Sequence, residues 1–97
     1  MSYRITPYTL KQAKRLGVVV KPSRVSGKKI DVFKDGKKVA SVGATGYADY
    51  PTFLGMERSG KVERGYAERR RKAYKTRHAK DRKVVGSRGY YADQLLW

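Results

Sequence analysis

Apolar residues recur along this chain first at helical spacing, then at alternate positions, then at helical spacing again. Tyr8, Leu10, Ala13 and Leu16 mark a helix between Thr6-Pro7 and Gly17, with Lys11, Lys14 and Arg15 on its remaining surface. The Thr6 hydroxyl can cap a free amide, and proline at the first helical position has no amide to leave unpaired. Val18, Val19 and Val20 predict a short strand that Pro22 ends, and Ser23 to Lys28 a basic loop. Lys29 to Lys34, then Asp35-Gly36, then Lys37 to Gly43 predict a hairpin whose two turn residues both take positive φ. Ile30 and Val32 share one face of its first strand, and Val39 with Ser41 is expected to line the buried face of the second.

Beyond the hairpin, Gly43, Gly46 and Gly55 punctuate a near-neutral segment carrying Tyr47, Tyr50 and Phe53. Within it, Asp49-Tyr50-Pro51-Thr52 predicts the start of a short helix to about Arg58. Residues 61–83 predict one long basic amphipathic helix. At ~100° per residue, Val62, Tyr66, Ala67, Ala73, Tyr74 and Val84 fall on one side and Arg64, Arg71, Lys72, Lys75 and Arg82 on the other. Arg70 and Arg77 lie within or beside the apolar arc, which marks them as structural or interface residues. The last eight residues hold Tyr90, Tyr91, Leu95, Leu96 and Trp97, too much apolar surface for a solvated tail. They are expected to dock on the chain's own core as a helix beginning near Gly89, with Asp93 and Gln94 turned outward.

These elements make a single α+β domain spanning 1–97. A small antiparallel sheet, built on the hairpin 29–43, is expected to pack against the long helix and the C-terminal aromatic segment; residues 1–28 add the N-terminal helix, short strand and basic loop.

Charge narrows what such a domain meets. The 97 residues carry 24 Lys and Arg against 8 Asp and Glu, a formal +16, far more than solubility requires. Eleven of the basic residues lie in 61–83 against Glu63, Glu68 and Asp81. Lys21, Arg24, Lys28, Lys29, Lys34, Lys37 and Lys38 form a second block. Guanidinium groups grip phosphate bidentately, so Arg64, Arg71, Lys72, Lys75 and Arg82, with Lys28, Lys29, Lys37 and Lys38, are the expected nucleic-acid-binding residues. The longest apolar run is Val18 to Val20, so no membrane insertion is expected and the chain reads as soluble and intracellular. The absence of cysteine excludes disulfides and thiolate metal sites.

Catalytic chemistry finds little support. His78 is the only histidine and has no cysteine to share a metal with, so no metal or other cofactor is expected. Asp31, Asp35 and Asp49 are accounted for by cross-strand pairing with lysine, the turn and a helix cap. Ser26-Gly27-Lys28-Lys29 and Gly36-Lys37-Lys38 lack the spacing of a phosphate-cradling loop, and Gly43-Ala44-Thr45-Gly46 is better taken as a turn.

Two blocks resemble small basic proteins of the large nucleocytoplasmic DNA viruses of algae and amoebae. One runs from Lys29-Ile30-Asp31-Val32-Phe33 through Gly36 to Gly43 and on to Asp49-Tyr50-Pro51-Thr52-Phe53. The other joins Arg69 to His78 with Gly86-Ser87-Arg88-Gly89-Tyr90-Tyr91-Ala92-Asp93-Gln94-Leu95-Leu96-Trp97. The resemblance covers roughly the last seventy residues and implies a viral, virion-associated protein, present in host cytoplasm or nucleus during infection, with no catalytic residues attached. The expectation is a non-enzymatic structural protein that binds nucleic acid, chiefly duplex DNA, without strong sequence preference. The alternative is a minor capsid or cement protein meeting acidic faces of viral capsid proteins. A small DNA-processing enzyme is a third reading.

Overall fold

The computed structural model describes residues 3–97. Helix α1 spans Pro7–Leu16, with Thr6 accepting from the Thr9 amide and Gly17 closing the far end. Strands β1 (Val19–Pro22), β2 (Lys28–Lys34) and β3 (Lys37–Ala44) form one antiparallel sheet in that order. The Asp35-Gly36 turn has φ values of 53° and 78°, as a turn matched to strand twist requires. Helices α2 (Tyr50–Arg58), α3 (Tyr66–Arg77) and α4 (Arg88–Leu96) follow, with a short 3₁₀ turn at Asp81–Lys83 before the last.

The hairpin departs from a simple two-residue register. Phe33 faces Lys38, yet Val32 faces Ala40, so the return strand carries one extra residue beside Val32 and Phe33. Such a bulge exchanges the two faces of the strand beyond it. Ala40 and Val42 therefore meet Val32 and Ile30 inside, and Val39, expected in the core, is 41% exposed.

The sheet packs against α4 rather than against a long basic helix. Leu95 and Leu96 are fully buried with Ile30, Val32 and Val42, in one core with the largely buried Val20 and Ala13, and burying two leucines supplies about 1.5–3 kcal/mol each. Gly43 makes the contact possible: a Cβ there would lie 2.7 Å from Leu96 Cδ1, and its φ of 83° disfavours any side chain. Helix α1 also packs against α4. Its buried hydroxyl residue is Thr9, which donates to the Leu95 carbonyl at 2.8 Å, while Leu10, expected in the apolar stripe, is 52% exposed.

The single helix expected over 61–83 is instead α3 and the 3₁₀ turn. Gly65, at φ 89°, stands outside helical geometry, and Glu57 from α2 accepts from the amides of Gly65 and Ala67, fixing where α3 starts. No continuous apolar stripe pulls the segment into one longer helix: Ala73 and Val84 are both exposed. The terminal segment docks on the chain's own core as expected, but Asp93 points inward and is 1% exposed.

Deleting residues 90–97 is expected to abolish cooperative thermal unfolding of the isolated protein, read by circular dichroism, because it removes Tyr91, Leu95 and Leu96 from the core. A truncated form that melts cooperatively near the wild-type temperature would show that the sheet and α1 suffice.

A cationic surface left by inward-facing carboxylates

The eight acidic residues do not mirror the twenty-four basic ones in space. Among the acids only Asp35, Glu63, Glu68 and Asp81 are exposed, whereas among Lys and Arg all but Lys28, Lys29, Arg71, Lys75 and Arg82 are exposed. The inward carboxylates are occupied. Asp49 caps α2, accepting from the Thr52 amide and hydroxyl, and its Oδ2 accepts from the Tyr3 hydroxyl at 2.7 Å and from Lys29 Nζ at 3.0 Å. Asp31 accepts from the hydroxyls of Ser23 and Ser41 and from the Arg24 amide, with Lys38 Nζ at 3.8 Å. Asp93 binds Lys75 Nζ at 2.8 Å and lies 3.7 Å from Arg82 Nη1.

Burial pushes the Asp49 carboxyl up, but bonds from Thr52 and Tyr3 and the Lys29 charge outweigh it and hold the group below its ordinary value; Asp31 is lowered against burial by Ser23, Ser41 and Arg24. A carboxylate lowered in the fold stabilises it fully above the unfolded value of 3.8, and that contribution is lost as pH falls through the lower folded value. The fall in melting temperature between about pH 4 and pH 2 is therefore expected to be smaller in Asp49→Asn than in the wild type, the variant already being less stable at neutral pH. An equal fall in both would mean that Asp49 contributes no acid sensitivity.

Of the expected binding residues, Arg71, Lys72, Lys75 and Arg82 come together on one open groove of about 520 Å³, with Glu68 at its edge. Arg64 lies before α3 and outside it. Lys72 is free in solvent, whereas Lys75 and Arg82 reach back to Asp93 and the Arg71 guanidinium lies 4.6 Å over the Tyr50 ring. Arg71 Nε and Arg82 Nε are buried without a hydrogen-bond partner among the described residues. The groove is thus cationic, but half-buried and tied to the fold.

The remaining sites divide. Lys37 and Lys38 are exposed beside the hairpin turn and Lys28 is half-buried. Lys29 is a correction: at 5% exposure it is an internal partner of Asp49 rather than a surface cation, because its side chain is drawn to the α2 cap. Arg70 and Arg77 are exposed, Arg70 over the Phe53 ring at 5.6 Å. Trp97 stacks on Tyr74 at 4.3 Å, and Tyr90 packs edge-on against Tyr91. Sequence reasoning missed Asp93 and Glu57 as positioning groups. Asp93 shares its helix face with Tyr90, Leu96 and Trp97 at three- and four-residue spacing, a pattern that could have exposed it as buried.

No trio of His, Asp or Glu among the described residues is placed to hold a metal ion. Among the described residues no helix is long and apolar enough to cross a membrane. No family model, curated protein or solved structure matches this chain.

Lys75→Gln leaves the Asp93 carboxylate with a weaker partner and is expected to lower stability by about 1–3 kcal/mol. Lys72→Gln on the same groove is expected to change stability by less than about 0.5 kcal/mol. Thermal melts of the two variants check the distinction, and equal losses would contradict it.

Proposed function

We propose that this is a non-enzymatic protein that binds nucleic acid through its Lys and Arg surface without strong sequence preference, duplex DNA being the expected partner. The observation that carries the reading is the imbalance of exposed charge: half of the eight carboxylates lie inward, and the four exposed ones face nineteen exposed Lys and Arg. A polyanion supplies the missing counter-charge and releases its own condensed ions on binding. The groove adds local support, since it gathers Arg71, Lys72, Lys75 and Arg82 on one open surface where Lys72 is exposed without a carboxylate partner among the described residues. The resemblance to basic proteins of large DNA viruses supplies the proposed setting, a virus particle in which this surface lies against the genome.

A second reading, a minor capsid protein meeting acidic faces of capsid subunits, draws on the same cations. The partner then has discrete carboxylate patches in place of a regular phosphate array, and the two readings separate on a duplex.

Titrating a labelled duplex at several salt concentrations should give a log–log slope near about −5 if six phosphates are neutralised, with little difference between sequences. Lys72→Gln should reduce the slope by about 1. Absence of binding at low salt would reject nucleic acid and favour the capsid partner.

A further inference from the structure

A second concavity, separate from the basic groove, opens between α3, the end of α4 and the loop after β3, with a volume of about 350 Å³. Rings dominate one wall. His78, Tyr74 and Trp97 form a continuous stack with centroid spacings of 4.3 Å on either side of Tyr74, and Phe53 lies 6.1 Å from Trp97. Tyr47 borders the same space, is 77% exposed and has no aromatic neighbour among the described residues. Arg70 and Arg77 border it too, and neither is paired with a carboxylate among the described residues. Lys29 lies against it with its charge already met by Asp49, and no acidic side chain lines the space.

We propose that this cleft receives one unpaired nucleotide of a nucleic-acid strand, its base against the exposed Tyr47 ring beside the aromatic wall and its phosphate at Arg70 and Arg77. The proposal rests on the nucleic-acid reading and deepens it. The combination of features selects the ligand: an inorganic phosphate would gain nothing from Tyr47, His78 and Trp97, and an apolar peptide nothing from two unpaired guanidinium groups. A nucleotide joins a flat π face to an anion, and base–aromatic stacking is tolerant of which base is present. A duplex offers no free base face along its length, so the cleft would engage single strands, or unpaired positions in a duplex, while the basic groove and outer cations meet phosphates of either form. Tyr47 is the most telling residue. A tyrosine this exposed contributes little to the core, so its removal tests the cleft without testing the fold.

Trp97 is the sole tryptophan and reports on the cleft by its fluorescence. Binding is measured with a thymidine oligonucleotide, a duplex of equal length and free thymidine monophosphate, at one salt concentration, for the wild type, Tyr47→Ala and Tyr47→Phe. The single strand is expected to quench Trp97. Tyr47→Ala should weaken single-strand binding by about 5- to 100-fold, the range for one stacked base, and leave duplex binding within about twofold; Tyr47→Phe should restore the loss. Single-strand binding unchanged in Tyr47→Ala, or weakened equally with duplex binding, would overturn the cleft assignment while the broader reading stands. Thymidine monophosphate competing as well as the strand would make this a free-nucleotide site and overturn the assignment to a strand. Failure of the wild type to bind either polymer would overturn the nucleic-acid reading itself, and the cleft assignment with it.

Discussion

Three buried aspartates organise this domain, each joining elements that apolar packing alone leaves free to slide. Asp49 holds the N-terminal segment through Tyr3, the sheet through Lys29 and the start of α2 through Thr52. Asp31 joins the loop after β1 to β3 through Ser23 and Ser41. Asp93 draws Lys75 of α3 and Arg82 of the 3₁₀ turn onto α4, the helix that closes the core over the sheet. A buried carboxylate without partners would be prohibitively costly, so each position fixes the identity and placement of its donors. The interior of a chain this rich in cations is specified by its few anions.

That arrangement shapes the surface by subtraction. Carboxylates committed to the interior cannot neutralise the outside, and the surface pairs that remain, exposed Arg69 with Glu63 and half-buried Arg71 with exposed Glu68, are of the kind that contributes little in water. Surface repulsion therefore acts against the fold, and a polyanion relieves it. On the proposed reading, stability and binding are linked through one charge distribution, and the cations nearest the core belong to both. Lys75 and Arg82 line the basic groove and anchor Asp93, so a variant at either position changes fold and surface together. Lys72, Lys37 and Lys38 have no such double duty to a buried partner as strong as Asp93, Lys38 standing 3.8 Å from Asp31.

Local signals in the sequence carried far. Thr6-Pro7, Asp49-Tyr50-Pro51 and Asp35-Gly36 state their caps and turn in adjacent residues, and α1, α2 and the hairpin form where those signals stand. What could not be read depends on distant residues. The bulge that sends Val39 outward is set by how Ala40 and Val42 meet the core, which no hairpin pattern states. The start of α3 is fixed by Glu57, eight residues before the Gly65 amide it accepts from. Lys29 looks like any other lysine of a basic strand until Asp49 is brought beside it. The basic face was legible as a set, since Arg71, Lys72, Lys75 and Arg82 do share a groove; its coupling to Asp93 was not, because a carboxylate in a short aromatic segment was assigned to solvent.

The central claim is that internal ion pairs hold the fold and an unbalanced cationic surface opposes it. The melting temperature of the free protein as a function of sodium chloride tests this most directly. Salt screens exposed charges over about 10 Å at 0.1 M and reaches buried pairs far less. The account predicts a melting temperature that rises with salt as surface repulsion is screened. A melting temperature that falls steadily over the same range would mean that exposed ion pairs hold the protein together, and would contradict it.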